Sequence, residues 1–127
     1  MYNLGSDDLS KIEKFEDLIC WQKSRLLVRE IYGISSFYLF NKDYALKDQI
    51  RRSVLSVMLN IAEGFGRRSH KEFKHYLFIA HGSIAETQSC LYVAFDLKYI
   101  QEDTFKSMYE KSTEISKIIS GLIKSLN

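Results

Sequence analysis

No proline interrupts the chain of 127 residues. Proline ends or kinks helices and punctuates the turns of sandwiches and barrels, so a chain of this length without one favours long unbroken helices. One domain spanning residues 1–127 fits the length, and two ordinary ones do not. Hydrophobic residues make up 46% and charged residues 27%, the balance of a globular chain and not of a disordered one. Cys20 and Cys90 are too few for a disulfide framework or a four-cysteine zinc site. No apolar run approaches the ~20 residues of a membrane span; even Val54–Ala62 is broken by Ser56 and Asn60. Met1–Lys11 carries Asp7 and Asp8 and no apolar core of a secretory signal, so the expectation is a cytoplasmic protein with no membrane partner.

Apolar residues recur at steps of three and four in four long stretches, which stacks them on one side of a helix. Cys20, Ser24, Leu27, Ile31 and Ile34 define a first helix over about 16–36, after which Phe37–Asp43 loses the period and reads as a connection. Leu46, Ile50, Ser53, Val54, Val57, Ile61 and Phe65 define a second over about 44–65. It closes at Gly64-Phe65-Gly66, where a glycine can take the left-handed conformation that ends helices. Ser69-His70-Lys71-Glu72 is a capping box that opens a third helix over about 70–98, striped by Phe73, Leu77, Ala80, Ile84, Thr87, Leu91, Ala94 and Leu97. The fourth, about 103–126, turns Phe105, Met108, Ser112, Ile115, Ile119, Leu122 and Leu126 inward. No segment alternates with the period of a strand. Four long helices with short connections predict an all-α, antiparallel up-and-down four-helix bundle.

The third helix carries a second apolar stripe, Phe78, Ala85, Tyr92, Phe95 and Tyr99, and the second helix a shorter one in Leu55, Leu59 and Ala62. A wide bundle core could take part of each stripe, but a helix apolar on two faces usually buries both. Leu55, Leu59, Phe78, Tyr92, Phe95 and Tyr99 are therefore candidate contacts of a homo-oligomer.

Catalytic chemistry finds little support. Gly64-Phe65-Gly66-Arg67-Arg68-Ser69 resembles a dinucleotide fingerprint only superficially, because a helix precedes it and serine takes the last position. His70, His75 and His81 are five and six residues apart, so no two stack on a helix to share a metal. Cys20 and Cys90 sit on apolar stripes as small core residues. Glu63 and Glu86 read most simply as ion-pair partners of Arg51, Arg52 or Arg67. No catalytic, metal or cofactor site is expected, and the chain does not read as an enzyme.

Charge is nearly balanced overall at +2, yet Asn41–His75 holds eight Lys and Arg against four acids, a net +4 that leaves −2 for the remainder. This stretch favours a polyanion. Arg51, Arg52, Arg67, Arg68, Lys71 and Lys74 are the candidate phosphate contacts. Arg51 and Arg52 lie about 20–25 Å along the helix from Arg67, so the six cannot form one compact site in a single copy. Asn60, Glu63 and Arg67 follow at one-turn steps and can share a hydrogen-bonded network that fixes the turn into the third helix.

Phe15-Glu16-Asp17-Leu18, Trp21-Gln22-Lys23, Gln49-Ile50-Arg51-Arg52, Asn60-Ile61-Ala62-Glu63-Gly64, Gly66-Arg67, Lys71-Glu72-Phe73 and Ile79-Ala80-His81-Gly82-Ser83 occur in that order. Together they resemble the four-helix-bundle family of 23S rRNA intervening-sequence proteins, a family similar to the accessory variability determinant protein of diversity-generating retroelements. The resemblance implies a bacterial, non-enzymatic bundle assembled as a ring-like homopentamer. By way of the retroelement relative it implies RNA or DNA and a reverse transcriptase as partners. The family often has proline within the second helix and after the first, where Met58 and Leu39 stand here, and glycine where Ala45 stands. The functional expectation is an oligomeric nucleic-acid-binding or adaptor protein that contacts phosphates. The alternative is a structural protein–protein interaction module with no nucleic-acid ligand.

Overall fold

Each of the four apolar stripes emerges as a helix in the computed structural model, which describes residues 9–127. The acidic positions Asp7 and Asp8 lie outside the described residues. Two short 3-10 turns, Leu9–Lys11 and Phe15–Asp17, lead into α1 (Ile19–Ser35), α2 (Tyr38–Lys42), α3 (Tyr44–Gly66), α4 (His70–Asp96) and α5 (Glu102–Ser125). The described residues contain no strand, and no helix among them is long and apolar enough to cross a membrane.

The long helices pair in a closed circuit, with α3 and α5 each lying against both α1 and α4. Bonds across the seams give direction. Ser53 and Ser56 of α3 meet Thr87 and Ser83 of α4, while Lys23 and Lys111 join Glu114 and Glu30 between α1 and α5, so both pairs run antiparallel. The core draws on all four: Leu27 and Ile31, Ile50 and Ile61, Leu77 and Leu91, Ile115 and Ile119 are almost wholly buried. Burying side chains of this size contributes about 1.5–3 kcal/mol each against leaving them in water.

The α3–α4 seam is polar and close. Ser53 Oγ lies 2.8 Å from Thr87 Oγ1, and Ser56 Oγ lies 2.9 Å from Ser83 Oγ. The Asn60 amide donates to the Ser56 carbonyl and hydroxyl at 2.8 and 2.9 Å. Every buried hydroxyl of this ladder has a partner, so hydrogen bonds offset the cost of taking the seam out of water.

Four boundaries differ from the sequence reading, each for a local reason. The first helix starts at Ile19 and not near Glu16, because fully buried Leu18 is extended (φ −71°, ψ 127°) and turns the chain after Phe15–Asp17. Phe37–Asp43 is not a plain connection. With no proline there, its amides close the short α2 through Asn41 N–H to the Phe37 carbonyl (3.4 Å) and Asp43 N–H to the Phe40 carbonyl (3.1 Å). The left-handed residue after α3 is Arg68 (φ 57°) and not a glycine. Gly64 serves close approach instead: a Cβ there would lie 2.6 Å from the Tyr76 Cβ. Finally, α4 ends at Asp96, left-handed Lys98 (φ 63°) turns the chain, and Leu97 is half exposed and not core.

Candidate nucleic-acid interface

The α3–α4 turn sorts charge. Arg67, at the C-cap of α3, lies 3.0 Å from Glu63 one turn back and 3.8 Å from Glu72 on α4, and donates to the Tyr76 hydroxyl at 2.8 Å. Its guanidinium also covers the Tyr76 ring at 5.2 Å. Tyr76 first, and then Glu63, hold the Arg67 pKa above its ordinary value. This half of the sequence-derived network is present. Asn60 stands apart from it, drawn by its amide bonds to Ser56 into the α3–α4 seam. Tyr76 was invisible to helical spacing because it meets Arg67 across a turn.

Ser69 caps α4 by accepting from the Glu72 amide at 3.4 Å, while the Glu72 carboxylate faces Arg67 in place of completing a capping box. Both acids of the turn are thus spent on Arg67. Arg68 and Lys71 are exposed and form no ion pair among the described residues. Lys74, half-buried, donates to the Asn127 side chain. Lys71, Lys74 and Phe78 follow at i, i+3 and i+7, so they share one face of α4. A cavity of about 550 Å³ opens between the N-terminal turns and the α3–α4 turn, with Phe15, Phe65, Phe73, Lys14, Arg68 and His70 among its lining residues.

Arg51 is placed elsewhere and does other work. Its Nε donates to Ser35 Oγ at 2.9 Å, and its Nη2 donates to Ser36 Oγ at 2.8 Å and to the Tyr32 carbonyl at 3.3 Å. The guanidinium lies 4.5 Å from the Tyr32 ring centroid. It therefore closes the C-terminus of α1, where backbone carbonyls lack partners and the helix dipole favours a cation. Exposed Arg52, its neighbour, forms no ion pair among the described residues. Glu86 pairs with no arginine; it accepts from Gln49 Nε2 at 3.3 Å.

The second stripe of α4 divides. Phe95 stacks on Phe105 of α5 at 5.1 Å, and Tyr92 packs on Phe105 and Tyr109 at 4.9 and 5.6 Å. Tyr99 lies 5.5 Å from Phe40 and donates to Asp43 at 2.9 Å. These three are engaged within the chain, although Tyr92 remains half exposed. Phe78 and, on α3, Leu59 stay exposed at 57% and 55%, and Leu55 is half-buried.

The rest of the polar interior ties helices together. His81 Nε2 lies 2.8 Å from Ser116 Oγ and 3.3 Å from Ser120 Oγ, joining α4 to α5. Burial, and secondarily Glu86, pushes the Cys90 thiol above its ordinary range. Among the described residues, no three His, Cys, Asp or Glu side chains gather where a metal could bind.

The described residues thus form an all-helical scaffold with a charge-sorted cationic turn and exposed apolar side chains. Residues 16–121 match the family described as 23S rRNA-intervening sequence protein, and the chain belongs to that family. A solved structure from Bacteroides thetaiotaomicron, described as a protein of unknown function from the S23 ribosomal protein family, is similar at 29% identity. The likeness covers 83% of this chain and 98% of that one, with a TM-score of 0.76. No functionally curated protein matches the chain.

Proposed function

We propose that this protein is a non-enzymatic nucleic-acid-binding or adaptor protein that holds phosphates with the unpaired cations of the α3–α4 turn. The observation that carries the reading is the sorting of charge there: Glu63 and Glu72 sit on Arg67, and Arg68 and Lys71 are left to solvent. Such contacts recognise phosphate and carry no base readout. Arg51 is withdrawn from the phosphate set because its guanidinium is occupied at the end of α1. Arg52 stays within it, about four turns from Arg67 along α3.

In this reading the four long helices form one antiparallel up-and-down bundle, and copies assemble into a ring-like oligomer, a pentamer by family resemblance. Exposed Leu59 and Phe78 support self-association. A ring repeats each cationic turn, so a few charges per copy become a band long enough to follow a phosphate backbone. A reverse transcriptase is a further partner by the same resemblance.

The test is a gel-shift titration with RNA and with duplex DNA at ~50 mM salt. The Arg68→Glu/Lys71→Glu variant should weaken binding about equally for every sequence and flatten the salt dependence. Arg67 is left intact, since reversing it would break the turn. Absence of any complex with either polymer would end the nucleic-acid reading in favour of a protein-only module. Light scattering tests assembly: several chains per particle, reduced by Leu59→Glu/Phe78→Glu, which places unpaired charge in the contact.

A further inference from the structure

The α4–α5 pair divides its charge along its length. Residues 86–114, the half that contains the connection between the two helices, hold six acids against three lysines. Residues 73–85 and 115–127, the half next to the cationic turn, hold Lys74, Lys117 and Lys124 and no acid. Three contacts bring these two segments together. Lys74 donates to the Asn127 side chain, and His81 Nε2 lies 2.8 Å from Ser116 Oγ and 3.3 Å from Ser120 Oγ. This register sets Lys124 about level with Leu77 and Lys117 about level with Ser83.

Lys117 and Lys124 are exposed and form no ion pair among the described residues. They stand seven residues apart on one face of α5 with Ser120 between them, and Ser120 meets His81, so this face borders α4. The carboxylates closest in sequence are held elsewhere. Glu114, one turn before Lys117, lies 3.2 Å from Lys23 on the α1 side of α5. Glu72 faces Arg67, and Glu86 accepts from Gln49 on the α3 side of α4. Glu13 and Glu16 line the cavity with Leu126, which lies about half a turn round α5 from both lysines. Glu110, about 10 Å beyond Lys117 along α5, begins the acidic half. The helix dipole favours Lys124, in the last turn of α5, but offers nothing to Lys117 two turns earlier.

We propose that the outer face of this seam is a phosphate track, on which Lys71, Lys124 and Lys117 carry the backbone of a nucleic acid away from the α3–α4 turn. The proposal rests on the nucleic-acid reading above and extends it to two lysines of α5 which that reading does not contain. The three cations succeed one another along the axis in steps of about 10 Å, roughly three nucleotides of one strand. The acidic half of the same pair repels a polyanion, which confines the backbone to this end. Lysines on a straight helical face meet phosphates and read no bases. Phe78, beside the track, is left for the contact between copies.

The experiment titrates labelled twenty-base-pair DNA and RNA duplexes with the full chain across a salt series starting at ~50 mM. Lys117→Gln/Lys124→Gln should weaken both duplexes about tenfold and lower the slope of log affinity against log salt by up to about 1.8 on DNA, at ~0.9 for each lost phosphate contact. Lys98→Gln/Lys106→Gln, in the acidic half, removes the same net charge and should leave affinity and slope near those of the unaltered chain. Circular dichroism checks that each variant keeps its helices. An unchanged slope for the α5 variant, or equal weakening by the control, overturns the track. So does an α5 variant that shifts particle size in light scattering, since the lysines then belong to a contact between copies. If Arg68→Glu/Lys71→Glu weakens binding while Lys117→Gln/Lys124→Gln does nothing, the track fails and the proposed function stands. If the unaltered chain binds neither duplex, both fail.

Discussion

Gly64 offers the sharpest test of the packing. A Cβ added there would sit 2.6 Å from the Tyr76 Cβ, 3.1 Å from the Phe73 ring and 3.3 Å from the Phe73 carbonyl oxygen. Carbon atoms prefer about 3.5–4.0 Å, so α3 and α4 would have to part by about 1 Å. The Tyr76 Cβ is fixed to its backbone, and no rotamer change relieves it. Overpacking of this kind costs about 1–3 kcal/mol, and three simultaneous contacts place Gly64→Ala at the upper end. Replacing glycine by alanine inside a helix returns about 1 kcal/mol, which leaves a net loss of about 2 kcal/mol. For a chain of this size that lowers the melting temperature by about 6–8 °C. Gly33 and Gly121 are the controls, since nothing lies within 4 Å of a Cβ at either. Alanine there should stabilise by about 0.5–1 kcal/mol. Thermal denaturation of the three variants decides the matter: a Gly64→Ala protein as stable as Gly121→Ala would refute the close approach of α3 and α4.

Arg51→Met keeps the apolar stem but loses three bonds at the end of α1; a loss of about 1–2 kcal/mol in urea denaturation is expected, discounted for partial exposure. Ser69→Ala removes a cap whose bond is long, at 3.4 Å, so the expected cost is about 0.5 kcal/mol, the low end for caps. Tyr99 gives a pH signature. Its hydrogen bond to Asp43, aided by burial and the Asp43 charge, raises its ionisation above the usual 10.0. A raised folded-state pKa contributes stability that is complete below the unfolded value and lost as pH climbs through the folded one. The stability advantage over Tyr99→Phe should therefore persist to about pH 10 and shrink above it in denaturation midpoints.

The helices were legible because periodicity is a local property: each stripe from Cys20 to Leu122 reports its own burial without knowing its neighbour. What sequence spacing could not supply was contact across turns. Arg51 looked like a free cation because Ser35 and Ser36 lie one helix away, and Tyr76 drew no reading because it meets Arg67 only across the α3–α4 turn. Glycine at the end of α3 suggested backbone freedom, yet the need at Gly64 is for space against α4, which only the packed pair reveals. Phe37, Tyr38 and Phe40 fell into an aperiodic stretch, where spacing could not tell that Phe40 is drawn inward while Phe37 and Tyr38 stay exposed. The second stripe of α4 was read as one surface, although Tyr92 and Phe95 find partners on α5 and Phe78 stays exposed.

The hydroxyl ladder of Ser53, Ser56, Ser83 and Thr87 has a consequence for the route of folding. Only three residues, 67–69, separate α3 from α4, so closing this hairpin costs little chain entropy and its contacts are local in sequence. A purely aliphatic seam could slide by a turn at small cost, but a one-turn slip would break the Ser53–Thr87 and Ser56–Ser83 bonds that join the two helices. The α3–α4 hairpin is thus placed to form first and already in register, and α1 and α5 then condense on a template whose alignment is set. In a φ-value experiment its seam should show native-like contacts in the transition state, while the Lys23–Glu114 and Lys111–Glu30 pairs between α1 and α5 form late.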